Sequence, residues 1–345
     1  MPSKIPTSLK DVRIFLLAID WTKWEEEIRQ EMRARVAIVG PVNSGKSTLF
    51  NLLYGRTVSP VSAVPGTTRT LLQEEIGPFV ITDTPGFGEV EGVDRADIAR
   101  QSLAGADVIV LVLDAAAGVR QGDYELYRQL LATGKPVLLT LNKIDLIGPD
   151  LPRVLDDIAN KLSLRPIPIS AKTGQNVATV LVPRLIDAHP NLAVAIGRAL
   201  PTYRRQAANG AIKAAMVWAG AIGAEPIPGV DIPLLIANQV RLVLRLAAIY
   251  GEPITADSAR ELVATIVSGV ALRYLAAEAA KVLPGPGWVI AGSIAAAGTW
   301  AMGRVAVEYF ESGKQLSPVQ MRQLYQRLTK RGRGEGRQGD KVTGR

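Results

Sequence analysis

The octapeptide GPVNSGKS, residues 40–47, constrains this chain most, because it predicts a strand, a tight loop and a helix in direct succession. The apolar run RVAIV before it is typical of a buried strand, and STLFNLLY after it is typical of a helix. Glycines at both ends of such a loop let backbone N–H groups surround phosphate oxygens at a helix N-terminus. The lysine then reaches the β- and γ-phosphates, and the serine hydroxyl binds Mg²⁺. The octapeptide therefore predicts an α/β fold that binds a nucleoside triphosphate.

The segment from residue 35 to residue 188 predicts a doubly wound sheet. Short β-branched runs alternate there with helical stretches, and the runs are RVAIV, FVITD, DVIVLVLD, PVLLTLN and PIPIS. Continuous apolar strands separated by helices are typical of parallel sheets that are covered on both faces. We expect a mostly parallel, six-stranded sheet with its ligand at the carboxyl ends of the strands.

Beyond His189 the chain consists of Ala-, Gly-, Leu- and Ile-rich helical runs broken by proline and glycine. Residues 219–239 and 279–298 each have the pattern helix, Pro-Gly turn, helix, which predicts two helical hairpins. We therefore expect an all-α domain over residues 189–328. An amphipathic helix is predicted within residues 1–34, packed against a neighbouring domain or lying on a membrane surface.

Composition excludes several kinds of site. The 345 residues include no cysteine, which rules out disulfides, thiolate catalysis and cysteine-bound zinc, and a single histidine argues against metal clusters. The net charge is +8, and residues 330–345 supply half of it with six basic and two acidic side chains. Residues 329–345 are Gly-rich and polar, which predicts a disordered basic tail. The N-terminus lacks a secretory signal pattern, so we expect a cytoplasmic protein.

Two later segments point to guanine. The carboxylate of Asp145, in NKID, can accept the ring N–H and the exocyclic amine of guanine, whereas adenine presents no matching pair of donors. SAK, which follows the next predicted strand, supplies backbone N–H groups for the guanine carbonyl. The predicted guanine-binding residues are Asn142, Lys143, Asp145, Ser170, Ala171 and Lys172.

DTPG, residues 83–86, also follows a predicted strand. Asp83 would hold Mg²⁺ through water, and the Gly86 amide would bind the γ-phosphate and lose it on hydrolysis. Such a loss of contact is what makes a nucleotide switch.

These segments, together with VSAVPGTTRT, make residues 35–188 resemble the G domain of the Era, TrmE and EngA branch of translation-factor-type GTPases. The resemblance implies GTP hydrolysis, with a catalytic set of Lys46, Thr68 and Gly86. It implies that Thr68, or its neighbour Thr67, joins Ser47 and Asp83 around Mg²⁺. The phosphate-loop residues that it implies for nucleotide binding are Gly40, Asn43, Ser44, Gly45, Lys46, Ser47 and Thr48. Thr70 departs from the acid that is usual in the family's GTTRD.

Two residues bear on the hydrolytic step. Phe87 follows DTPG where Ras-like enzymes carry the glutamine that orients water, so we expect slow intrinsic hydrolysis. Relatives with asparagine at the position of Asn43 coordinate K⁺ in place of an arginine finger, and the resemblance implies such a K⁺ site here. The alternatives are that Asn43 only stabilises the loop, and that the domain binds GTP without hydrolysing it.

The helical half resembles the YcjF-type domain of unknown function that follows Era-like GTPase domains in some bacterial proteins, through residues 231–251 and 287–313. The run from Trp288 to Gly303 has 16 uncharged residues, fewer than the ~20 that a spanning helix needs. Within it, Gly292 and Ala296 have the spacing that lets helices approach closely.

Several partners stay open for this half. A soluble or peripherally membrane-bound bundle is favoured, with insertion into the inner membrane through residues 207–310 as the alternative, although Arg241 and Arg245 would be costly in lipid. A ribosomal or other protein partner and dimerisation through the G domain are further options. The helical domain stands where Era carries its RNA-binding module, so nucleic acid is expected only as a non-specific partner of the basic tail.

Overall fold

The computed structural model describes residues 21–55, 74–81, 103–224, 231–255 and 287–339, which fall into two compact units. One unit comprises Glu31–Ala207 and contains the sheet. The other combines the described parts of Met1–Gln30 and Ala208–Arg345 and is helical. Residues 189–207, which the sequence analysis placed in the helical domain, group here with the sheet. The Gly77 turn lies close to Ala199, where an added Cβ would meet the alanine Cβ at 3.2 Å.

The sheet of the first unit has six strands. They are β1 (Val36–Val39), β2 (Glu74–Ile76), β3 (Phe79–Ile81), β4 (Val108–Asp114), β5 (Val137–Asn142) and β6 (Ile167–Pro168). Their order in the sheet is β2-β3-β1-β4-β5-β6, which confirms the predicted fold class. Strand β2 runs antiparallel to β3, and the other neighbours are parallel.

Helices cover this sheet, as the continuous apolar strands require. Strands β1 and β4 are buried almost throughout, and Leu130 and Ile158 are among the helical side chains that join the core around β4 and β5. The helices of this unit are α2 (Lys46–Tyr54), α3 (Gln121–Leu131), α4 (Leu151–Leu162), α5 (Val182–Ala188) and α6 (Leu192–Ala199).

Strand register brings three chain segments to one edge of the sheet. Strands β1 and β4 pair Val39 with Leu111, and β4 and β5 pair Asp114 with Asn142. The carboxyl ends of β1, β4 and β5 therefore lie side by side. The loop of residues 40–47 starts from the first of these ends, and NKID starts from the third.

The helical unit contains α1 (Trp21–Glu31, as far as Gln30), α7 (Arg204–Gly223, from Ala208), α8 (Asp231–Ile249), α9 (Gly287–Glu311) and α10 (Pro318–Gly339). Helix α8 is buried along most of its length, and Leu242, Leu246 and Ile249 are among its buried side chains. Helix α1 joins this unit, where Glu27 lies 3.6 Å from the Arg241 guanidinium. The part of the predicted N-terminal helix before residue 21 lies outside the described residues.

The first predicted hairpin matches α7 and α8, while only the second helix of the other hairpin, α9, lies within the described residues. Helices α7 and α9 approach closely through small residues. A Cβ on Gly292 would lie 2.8 Å from the Gly220 carbonyl oxygen, and one on Gly223 would lie 2.8 Å from the Ala295 Cβ. By length and composition, Ile290–Glu311 could cross a membrane, but 56% of its most apolar window is buried inside the protein, as in a core helix.

Helix α10 differs from the expected disordered tail, because it continues through residues 329–339. Its first part is anchored by the buried side chains of Met321 and Tyr325. Once a helix has formed, each further residue adds a hydrogen bond without a new nucleation step, and Arg, Lys and Gln are good helix formers. The polar composition of this segment therefore did not exclude helix.

Candidate nucleotide-binding site

The loop between β1 and α2 has a backbone that only glycine can adopt at two places. Gly40 has φ 151° and Gly45 has φ 95°. A Cβ on Gly40 would lie 2.2 Å from the Val112 carbonyl oxygen, and one on Gly45 would lie 2.2 Å from Asn142 Nδ2. Both distances are far below a van der Waals contact, so the two glycines let the loop pack against the ends of β4 and β5.

The loop curls around the ammonium group of Lys46. Lys46 Nζ donates hydrogen bonds to the carbonyl oxygens of Gly40 (3.0 Å) and Pro41 (2.9 Å), and the residue is 5% exposed. A cation thus sits inside the loop at the first turn of α2, where helix N–H groups and the helix dipole favour an anion. Ser47 and Thr48 follow in the same turn and are half-buried, while Asn43 is exposed in a left-handed conformation at φ 65°.

Asn142, in NKID, joins the phosphate loop of residues 40–47 to SAK, so that the phosphate loop is connected to the two predicted guanine-binding segments, which together are called the guanine loop. Its Nδ2 donates to the Ser44 carbonyl oxygen at 2.8 Å, and its Oδ1 accepts a hydrogen bond from the Ala171 N–H at 2.8 Å. The side chain is 2% exposed, so water does not compete for these bonds. One amide therefore fixes three segments that are far apart in sequence.

The Asp145 carboxylate is exposed but held in place by a buried hydroxyl. Ser170 Oγ donates to Asp145 Oδ1 at 2.6 Å and accepts a hydrogen bond from the Thr173 N–H at 3.2 Å. Lys172 is exposed beside the buried Ala171. The arrangement presents an oriented, solvent-facing acceptor, which is what recognition of two ring donors requires.

The structure thus brings together the predicted residues of the phosphate loop, NKID and SAK. Thr67, Thr68, Asp83, Gly86 and Phe87 lie outside the described residues. Sequence reasoning missed Asp114, whose carboxylate lies 2.5 Å from Lys143 Nζ. The signal was present, because DVIVLVLD ends in a carboxylate at the same edge of the sheet as NKID.

Comparison with known proteins finds one family match in each half of the chain. Residues 35–143 match the family model of a 50S ribosome-binding GTPase, and residues 190–333 match that of a domain of unknown function, DUF697. GTPase Der from Desulforudis audaxviator is 39% identical over 154 residues, which are 42% of this chain and 35% of the relative. GTPase Era from Aquifex aeolicus is 41% identical over 157 residues, which are 41% of this chain and 52% of the relative.

Among solved structures, an Era variant from Aquifex aeolicus bound to GDP.AlF4- aligns with a TM-score of 0.38 and 38% identity, over 45% of this chain and 56% of that chain. The chain spans 35% to 52% of the length of these two relatives. The two family models match separate parts of the chain.

Proposed function

We propose that this chain, whose residues 35–143 match the 50S ribosome-binding GTPase family, binds GTP and hydrolyses it to GDP and phosphate as a conformational switch. The observation that carries the proposal is the Asn142 bridge, because it couples the phosphate loop to the loop that places Asp145. A nucleotide held at both ends by one rigid network binds without the cost of ordering two separate loops.

In this proposal the Lys46 ammonium stabilises charge on the β- and γ-phosphates. The Gly86 amide, which lies outside the described residues, would contact the γ-phosphate until it leaves. A hydroxyl at Ser47, with Thr68 and Asp83, suits Mg²⁺, which prefers oxygen ligands. Ser47 supports this assignment by lying half-buried in the turn that holds Lys46. When bound, Mg²⁺ would neutralise phosphate charge.

The guanine assignment is tested by Asp145→Asn. An amide offers a donor where guanine needs an acceptor, so we expect GDP affinity to fall by roughly a hundredfold or more. Binding of xanthosine diphosphate (XDP) should improve, because xanthine has a carbonyl in place of the exocyclic amine of guanine. Asp157→Asn is a matched control, because Asp157 is an equally exposed carboxylate that pairs with Lys161 on α4. Isothermal titration with GDP, XDP and ADP measures both variants. Unchanged GDP affinity in Asp145→Asn would refute guanine recognition by this carboxylate.

The proposal includes activation of GTP hydrolysis by K⁺ bound at Asn43. Asn43 is exposed on the phosphate loop and has a left-handed backbone at φ 65°. Its side-chain oxygen suits K⁺, which would then supply positive charge near the β- and γ-phosphates. Asn43→Gly keeps the left-handed backbone and removes that oxygen. Faster phosphate release in KCl than in NaCl, lost in this variant, is expected; equal wild-type rates at saturating GTP would exclude K⁺ activation.

A second proposal is that the helical unit contacts a membrane surface. The large apolar side chains of Val217 and Trp218 are 68% and 66% exposed on α7, and Ile290 is 47% exposed on α9. All three lie in uncharged stretches, residues 214–223 and 287–303. Tryptophan is favoured at the boundary between headgroups and hydrocarbon.

The two uncharged stretches lie side by side on neighbouring helices, which supports a shared contact surface. Gly292 faces Gly220, and Gly303 faces Ile212, so Lys213 and Arg304 lie at one level where both stretches stop. The stretch on α7 is about 15 Å long, about half the thickness of a hydrocarbon core. Peripheral contact is therefore favoured over a spanning arrangement. Asp231 at the start of α8 agrees with this, because a carboxylate is costly in hydrocarbon.

Fractionation of cells with a carbonate wash tests this contact. We expect the full chain in the membrane pellet before the wash and in the supernatant after it. Trp218→Ser should reduce the pelleted share, whereas Leu131→Ser, at a 47% exposed position on α3, should not. Resistance to the wash would replace peripheral contact with insertion. A wholly soluble wild-type chain would overturn membrane contact and favour a ribosomal or other protein partner, which the family's description suggests.

A further inference from the structure

Asp114 makes two separate sets of contacts at the end of β4. Its Oδ1 accepts hydrogen bonds from the Ala116 N–H at 2.9 Å and the Ala117 N–H at 3.3 Å, which orients the carboxylate within the turn. Its Oδ2 accepts a hydrogen bond from Lys143 Nζ at 2.5 Å. The carboxylate is therefore oriented by its own turn, independently of its contact with the lysine.

Lys143 is the partner that makes this contact relevant to nucleotide binding. It stands between Asn142 and Ile144 in a left-handed conformation at φ 65°, two residues before Asp145. Its side chain is 30% exposed and that of Asp114 is 17% exposed, so the pair is only partly screened by water. A long lysine side chain loses rotamer entropy when a ligand orders it, and a preoriented partner restricts it before the ligand arrives.

We infer that Asp114 is a positioning residue for the guanine pocket, which acts by holding the Lys143 side chain against the wall of the pocket beside Asp145. The inference rests on the proposed guanine site and adds a residue to it. The backbone bond from Ala115 N–H to the Asn142 carbonyl oxygen, 2.9 Å long, keeps the two strand ends in register for this contact.

The alternative is that Asp114 only stabilises the turn of residues 114–117. The two roles use different oxygen atoms, so they can be separated by mutation. Asp114→Asn keeps a carbonyl oxygen for the turn N–H groups and loses the charge that holds the ammonium. Lys143→Met keeps an apolar side chain of similar reach and removes the ammonium.

A double-mutant cycle on GDP affinity tests the inference. We expect Asp114→Asn to weaken GDP binding roughly three- to tenfold in the wild-type background and to have little effect in Lys143→Met. Asp123→Asn is a control for general loss of stability, because Asp123 Oδ2 accepts the Arg120 N–H at the start of α3, away from the pocket. Thermal unfolding of all variants is measured in parallel.

The positioning role of Asp114 and guanine-nucleotide binding can fail separately. Equal losses in both Lys143 backgrounds, or no loss at all, would overturn the positioning role even though GDP binds. If the wild-type chain bound no guanine nucleotide, the proposed function itself would fall, and the positioning role would fall with it. Stronger coupling at low salt than at high salt would support the ion pair as the cause.

Discussion

Gly45 shows how a single residue determines the geometry of the nucleotide-binding site. The residue combines a left-handed φ of 95° with a position against Asn142, where a Cβ would lie 2.2 Å from Nδ2. Asn142 could give way only by losing its hydrogen bond to the Ser44 carbonyl oxygen. A methyl group at this position would therefore break the connection between the phosphate loop and the guanine loop.

We predict that Gly45→Ala weakens GDP binding by at least roughly tenfold, which corresponds to the loss of about one charge-assisted or buried hydrogen bond. Gly55→Ala is the matched control. Gly55 also has a left-handed backbone, at φ 64°, but an added Cβ would have no atom within 4 Å. Both variants should lose about 1 kcal/mol of stability from backbone strain. Equal GDP affinities of the two variants, measured by titration, would contradict the role of the Asn142 contact.

The sequence predicted most of these residues but not their connections. The spacing in GPVNSGKS, NKID and SAK predicts which residues meet, because the strand ends of a doubly wound sheet share one edge. It does not predict that Asn142 bonds Ser44 and Ala171, or that Asp114 pairs with Lys143, because these contacts depend on strand register. The register that pairs Val39 with Leu111 and Asp114 with Asn142 is seen only in the folded structure.

At the scale of elements, the contact between α7 and α9 depends on which glycine faces which backbone. The spacing of Gly292 and Ala296 predicts close approach of helices, and the structure places Gly292 against Gly220. Added Cβ atoms would have very different surroundings on the two residues. At Gly292 the Gly220 carbonyl oxygen lies 2.8 Å away, whereas at Gly220 the nearest atom is the Ala296 Cβ at 3.7 Å.

We predict opposite effects for two glycine-to-alanine changes in this contact. Gly220→Ala should stabilise the helical unit by up to about 1 kcal/mol, since alanine is the better helix former and has room. Gly292→Ala should destabilise the unit, because two helices must separate or shift. Urea unfolding followed by tryptophan fluorescence measures both. Equal shifts of the midpoint in the same direction would contradict the observed helix approach.

At the scale of the whole molecule, the five tryptophans lie in residues that belong to the helical unit: Trp21, Trp24, Trp218, Trp288 and Trp300. Tryptophan fluorescence therefore reports on that unit. The grouping of α1 with helices from the far end of the chain was not predictable from its sequence, because an amphipathic pattern gives a buried face but not the partner of that face. Trp21 and Ile28 are buried in this grouping.

GTP hydrolysis is measured as steady-state phosphate release from the full chain with saturating GTP, Mg²⁺ and KCl. Lys46→Ala provides the blank, because it removes the cation that the phosphate loop surrounds. We predict release from GTP well above this blank and none from ATP. Phosphate release from GTP that did not exceed the Lys46→Ala blank would contradict GTP hydrolysis and leave a domain that binds GTP without hydrolysing it.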